Sequence, residues 1–366
     1  MNKHQGMDKI MQERVEKFSQ LFMNINFDSM PIGLYNGKMG LCIYFYELAH
    51  LTSKKKYNVF AEKLLEDVIK NIYENTTVDT ENGLTGICMA INYLLDKGYV
   101  KGNPNYVLKD LDDKIIKSLL FSRIFEHEKK PNLSILNSLL GNIVYLTIRL
   151  QNTKLNNNER NTMQNVIIEN INKIESLEVE KFTEPTFFST TEYFTPLYLQ
   201  SLQRIYQLNF YDYKIEKIVE GISSHILYQY PVNKANRMLI CQTMNEAAAI
   251  FKNIKGWDEH IEALRQHLDI PQIIHEFRNK NMAFSNGLCG FYYLLKKTGR
   301  GNGYKDLFLN KISNSDIWDL LSEDKDILKA PIGLYDGISG VILTYLHILY
   351  NSDCDMFFDK VISQYV

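Results

Sequence analysis

The side chains of this chain that could hold a metal, attack an electrophile or move a proton are thinly spread. Five cysteines, Cys42, Cys88, Cys241, Cys289 and Cys354, stand far apart with no C-x-x-C pair. That spacing fits reduced thiols in a reducing compartment and not a disulfide framework. Among the eight histidines, His4 and His127 included, His260 and His267 share one face of a charge-rich helix. They read as solvated surface residues and not as a metal pair. His225 falls in an amphipathic segment, and His347 in an apolar one, where a hydrogen-bonded core residue is expected before a catalytic base. Carboxylates offer "DLDD" at 110–113, which opens an amphipathic helix where acids offset the helix dipole. Glu246 and Asp336 could face a common cavity and share acid–base work, although no spacing rule pairs them.

The elements that must position these groups are written as repeats. A small-x-x-Gly step leads into an apolar run at Gly37–Gly40, Gly83–Gly86, Gly287–Gly290 and Gly337–Gly340. "NSLLG", ending at Gly141, is a fifth copy with Ser138 in place of the first glycine. The gap from Gly141 to Gly290 spans about three of the other steps, so two worn copies belong inside it, at "FTPLYLQSLQRIYQL" from Phe194 and "CQTMNEAAAIFKNI" from Cys241. Longer amphipathic stretches with apolar residues at i, i+3, i+4 and i+7 separate the apolar runs. Period-2 alternation is confined to short pieces near "TFFSTTEYF". Seven apolar helices with two sides to bury and seven amphipathic ones with one predict two concentric layers. The first and last units carry nearly the same phrase, "PIGLYNGKMG" and "PIGLYDGISG", instead of polar caps. We therefore expect an all-α (α/α)7 toroid of seven inner and seven outer helices, a single domain over residues 1–366.

Two glycines at the mouth of each helix fit a tight turn whose free N–H groups line a polar cup. Alternatively, they only allow close packing at the narrow end of a barrel.

Of the 366 residues, 45% are hydrophobic and 23% charged, and the net charge is −2. Neither a nucleic-acid footprint nor an anionic-membrane patch follows from that balance. The N-terminus lacks a signal-peptide core, and no stretch approaches the roughly 18 uninterrupted apolar residues of a membrane span. A soluble, cytoplasmic protein is expected, and "NTT" at Asn75 reads as a loop.

"GLYNGKMGLCIYFYEL", "NGLTGICMAINYLL", "NGLCGFYYLL" and "GLYDGISGVILTYL" resemble the repeat of the lanthionine synthetase C (LanC-like) family, and the resemblance runs over essentially the whole chain. It implies an α/α toroid. It also implies work on a ribosomally made precursor peptide, beside a partner enzyme such as a dehydratase. Members active in lantibiotic biosynthesis add cysteine thiols to dehydroamino acids. A zinc ion held by two cysteines and a histidine activates the thiol, and an acid protonates the enolate. The family's first ligand lies in W-C-Y-G-x-P-G of the fifth unit, where this chain reads "LICQTMNEAAAIF", with Cys241 at the ligand position. The other two form C-H-G-x-x-G of the sixth unit, where this chain reads "FSNGLCG". Ser285 and Asn286 replace the Cys–His pair, and Cys289 lies inside the glycine step. Serine and asparagine are poor zinc ligands beside thiolate and imidazole, so no cofactor is expected unless other residues supply a zinc site.

The expected function is that of a LanC-like peptide-modification protein that binds a precursor peptide in its cup. Cys241, Ser285, Asn286, Glu246 and Asp336 are its candidate site residues. One alternative is an active cyclase with a non-standard or absent zinc. Others are a non-catalytic scaffold and another α/α-barrel enzyme. A glycosidase would use the Glu246 and Asp336 carboxylates; a class II terpene cyclase would use the D-x-D-D acid at 110–113, but its aromatic repeats are not evident.

Overall fold

Helix formation follows the alternation read above. An amphipathic stretch buries one stripe, and an apolar run is buried nearly all round. In the computed structural model, residues 9–73, 76–121, 133–152, 154–176, 184–252, 254–321, 331–352 and Phe357 are described. His4, Asn75, His127 and Cys354 lie outside them. Sixteen α-helices, labelled here in chain order, and no strand occur among the described residues. They fall into two compact units, one within Met1–Val100 and Ile270–Val361, the other within Lys101–Asp269.

The first unit holds α1 (Lys9–Met23), α2 (Lys38–Thr52), α3 (Lys55–Lys70), α4 (Leu84–Asp96), α13 (Ile270–Glu276), α14 (Leu288–Lys297), α15 (Lys305–Ser313) and α16 (Ile338–Tyr350). Along α3 the buried residues are Tyr57, Ala61, Leu64 and Val68, one apolar stripe with solvent on the other side. Along α2 every residue from Lys38 to Leu48 is buried, as an inner helix requires. The last inner helix, α16, packs directly against the first, α2.

The second unit holds α5 (Pro104–Val107), α6 (Lys109–Phe121), α7 (Leu133–Leu150), α8 (Asn157–Glu175), α9 (Phe194–Tyr206), α10 (Asp212–Leu227), α11 (Lys234–Ile250) and α12 (Trp257–Arg265). Here α7, α9 and α11 are the apolar members, and α9 packs against both of the others. By length and composition α7 is apolar enough to cross a membrane. A core helix passes the same test, and α7 is buried continuously from Leu139 to Leu150.

Among the described residues, seven outer segments, taking α12 and α13 as successive parts of one stretch of sequence, alternate along the chain with seven inner helices, as the repeats predict. Several boundaries differ from expectation. Gly141 lies inside α7 and not at its mouth. Helix α11 starts at Lys234, well before Cys241, where Asn233 caps it by accepting from the N–H groups of Ala235 and Asn236. The sixth outer helix breaks after Arg265, where His267 adopts a left-handed φ of 59°. His260 and His267 therefore do not share a helix face. The residues around "TFFSTTEYF" form irregular backbone that leads into α9, not a strand.

Candidate functional site

The loops that enter α2, α4, α14 and α16 are built alike. In each, the chain doubles back so that a carbonyl seven residues earlier accepts from the first helical N–H. Lys38 donates to Pro31 at 2.8 Å, Leu84 to Thr77 at 2.8 Å, Leu288 to Asn281 at 2.9 Å and Ile338 to Pro331 at 2.9 Å. The next N–H groups follow suit, Met39 to Ile32 at 3.2 Å and Cys289 to Met282 at 3.2 Å. The expected cup of free helix N–H groups is therefore not there, because each loop saturates its own helix start. The glycines serve this fold-back. A Cβ on Gly40 would overlap the Leu34 carbonyl oxygen, and one on Gly340 that of Leu334. The close approach that the glycines allow is to loop backbone, not packing at the narrow end of a barrel.

The same loops are hooked to one another. The Phe284 N–H donates to the Tyr335 carbonyl at 2.8 Å, the Leu334 and Tyr335 N–H groups donate to the Tyr35 carbonyl at 2.8 and 3.1 Å, and the Tyr35 N–H donates to the Glu81 carbonyl at 3.0 Å. Loop six thus hangs on loop seven, loop seven on loop one, and loop one on loop two. The rings of Tyr35 and Tyr335 stack with centroids 3.9 Å apart, worth about 0.5–1.5 kcal/mol beyond the area they bury. Glycine again makes room, since a Cβ on Gly333 would strike Asn36 and one on Gly33 would strike Asn82.

This series brings Ser285 and Asp336 together. The Ser285 hydroxyl donates to one Asp336 carboxylate oxygen, and Asn36 Nδ2 donates to the other at 2.9 Å. Asn36, Asn82, Asn286 and Asp336 all directly precede the first glycine of their steps, and all four are exposed. Beside them, partial burial and then the Asp79 and Asp336 carboxylates push the Glu81 carboxyl up from its ordinary value.

The remaining candidates lie elsewhere. Cys241 is buried in the middle of α11, its Sγ 3.7 Å from the Ile261 carbonyl of α12. On the same helix Glu246 accepts from Gln242 Nε2 at 2.7 Å. Both belong to the second unit, Ser285, Asn286 and Asp336 to the first. Cys289 is buried, and burial pushes its thiol up to about 12, which keeps it protonated at neutral pH. Ser285 and Asn286, which stand where the family has its Cys–His pair, do not fit its zinc: one offers a hydroxyl already given to Asp336 and the other an amide, poor donors beside thiolate and imidazole.

Two chemically capable clusters escaped the sequence reading. In the first unit, Glu47, which interrupts the apolar run of α2, lies beneath His347 of α16, Oε2 to Nε2 3.5 Å. Tyr93 and Tyr99 donate to Glu47, the latter at 2.9 Å, and Tyr293 Oη lies 2.8 Å from His347 Nδ1. Burial pushes the Glu47 carboxyl up, but His347 and the two hydroxyls outweigh it and hold it below the usual range. His347 is the hydrogen-bonded core residue expected. The signal was the lone carboxylate inside "IYFYELAHL". In the second unit, Asp112 of "DLDD" is buried against Arg149, with Arg149 Nη2 2.8 Å and Nε 3.0 Å from Asp112 Oδ2, and Tyr145 donates to the same carboxylate. It does more than offset a helix dipole.

Residues 28–191 match the family model described as "Lanthionine synthetase C-like protein". Over that stretch the chain is similar to the lanthionine synthetase C-like family. Among solved structures it is similar to a protein named nisin cyclase, with a TM-score of 0.63, 14% sequence identity, and coverage of 98% of this chain and 100% of that one. At that identity the likeness shows the fold, and this chain shares its all-α architecture. No curated protein sequence matches.

Proposed function

We propose that this LanC-like protein binds a precursor peptide for modification at the linked loops of its first unit, and that it does so without the family's zinc-thiolate chemistry. The observation that carries this reading is the exposed series Asn36, Asn82, Asn286 and Asp336, set at one position of four interlocked loops. A carboxamide both donates and accepts, so it complements the N–H and C=O of an extended peptide, and the carboxylate adds a strong acceptor. Where thiolate and imidazole would stand in the family, Ser285 instead holds Asp336 in place. We further read the protein as cytoplasmic and as acting beside an enzyme that dehydrates the same peptide.

Metal analysis of the purified protein, together with incubation with a dehydrated, cysteine-containing peptide, tests both halves. Expected are well under one zinc per chain, saturable binding in fluorescence anisotropy, and no loss of thiols reactive to N-ethylmaleimide. Replacing Asn82 and Asp336 with alanine should weaken binding about tenfold, or ~1.4 kcal/mol. Stoichiometric zinc that disappears in Cys241→Ala, or thioether formation by the wild type, would overturn the metal-free reading. Failure to bind the peptide would overturn the other half.

A further inference from the structure

We infer that the connection from α10 to α11 in the second unit docks a peptide segment in which an acidic side chain sits among apolar ones, with Arg237 as the anchor for the carboxylate. Arg237, in the first turns of α11, is only 9% exposed. Its Nη1 donates to the Tyr230 hydroxyl at 2.9 Å, and its Cζ lies 4.7 Å from the centre of the Tyr230 ring. Its Nε meets no hydrogen-bond partner, and it forms no ion pair with a described residue. Glu184 senses this cation only at longer range while accepting from the Val232 N–H. A guanidinium cannot shed its proton. A nearly buried one lacking a carboxylate therefore carries a desolvation cost that an incoming anion relieves. The start of the 17-residue helix α11, capped by Asn233, adds the positive end of its dipole.

The flanks point to the rest of the ligand. Tyr228 is 88% and Val232 89% exposed, and Phe187 and Tyr230 are about half exposed, at 47% and 48%. Phe187 stands on an ordered frame. Asn236 Nδ2 donates to the carbonyls of Pro185 and Phe187 at 3.0 and 2.9 Å, and Asn236 Oδ1 accepts from the Ser189 N–H at 3.2 Å. Apolar side chains held in water around a buried cation complement a carboxylate between apolar groups, and a bare anion would leave them uncovered. Tyr230, which roofs the guanidinium, is the side chain that shifts to let the carboxylate reach Nε. The source of the carboxylate is an Asp or Glu side chain within the segment.

This inference rests on the peptide-binding role proposed above, and its test is separable from that one. The probes are two short fluorescein-labelled peptides, amidated at the C-terminus, with a central Asp or its Asn counterpart among Leu and Phe residues. Anisotropy with the full chain should show the Asp probe binding about tenfold or more tighter than the Asn probe, the size of one charge-assisted contact. Arg237→Gln, checked by circular dichroism for an intact fold, should bring the two within about twofold. Tyr228→Ser combined with Val232→Ser, both at exposed positions, should weaken the two probes alike. Equal affinity of the wild type for both probes, discrimination that survives in Arg237→Gln, or unchanged binding in the exposed double variant would each overturn the inference. None of these outcomes bears on binding of the cysteine-containing peptide, which tests the other site.

Discussion

The loops that enter α2, α4, α14 and α16 and those that enter α9 and α11 do one topological job with different chemistry. In the first unit each loop folds back on its own helix start, and loops six, seven and one hook an N–H onto the next loop's carbonyl. Those links are made by backbone atoms, so the constraint falls on glycine, while the Asn/Asp side chains stay exposed and Asn36 and Ser285 bond Asp336. In the second unit side chains take over. Asn233 caps α11, Asn236 ties down the preceding segment, and the exposed positions go to Phe187, Tyr228 and Val232. Backbone interlocking preserves a repeated phrase, because few residues other than glycine fit it. Side-chain capping erases the phrase while keeping the fold.

The contrast can be broken most sharply at Gly340. A methyl group there meets the Leu334 carbonyl, which cannot move without unhooking loop seven from loop one. Gly340→Ala should cost about 5 kcal/mol, at the extreme of single substitutions, read as a fall in the urea midpoint. Gly221, exposed on α10 with open space around its Cα, should behave oppositely, and alanine there should gain about 0.5–1 kcal/mol.

Next in size is the ion pair of the second unit. Arg149→Met leaves Asp112 buried without its cation and should cost about 3–5 kcal/mol. Adding Asp112→Leu should restore much of that loss, because an apolar pair of similar volume carries no desolvation cost. If the double variant is as unstable as the single one, the pair itself holds α6 against α7.

The smallest effect is expected at Glu47, where α2 meets α16. Burial raises its carboxyl, but His347, Tyr93 and Tyr99 bring it below the ordinary value. A carboxyl depressed in the folded state contributes stability that is present above its unfolded pKa of about 4.3, and that contribution is lost as pH falls through the folded value. Glu47→Gln should therefore cost about 1–3 kcal/mol at pH 7. It should also flatten the loss of stability below pH ~4 in denaturant titrations.

Helix number and the alternation of inner and outer helices were legible in the sequence, because apolar periodicity and glycine steps are local signals. The fold-back of 31–37 onto Lys38 was not, since nothing in "PIGLYNG" distinguishes an N–H left open from one satisfied by the Pro31 carbonyl. Ser285 and Asp336 were each singled out, yet their pairing joins residues 51 positions apart and becomes visible only once loops six and seven lie side by side. Arg237 escaped notice because an arginine in the first turns of a helix usually reaches water, and here Tyr230 covers it.

The hook between the first and last loops bears on how the chain is made. Tyr35 offers a carbonyl, and Asn36 an amide, to partners 300 positions further along. On a ribosome adding roughly 5–20 residues per second, those partners emerge some tens of seconds later. Until then α2 lacks α16 against its flank, and the first hundred residues expose an apolar seam. The described residues of the second unit all lie within 101–269 and can close while the nascent first unit still waits, which makes that interval the window in which a chaperone would find the chain unfinished.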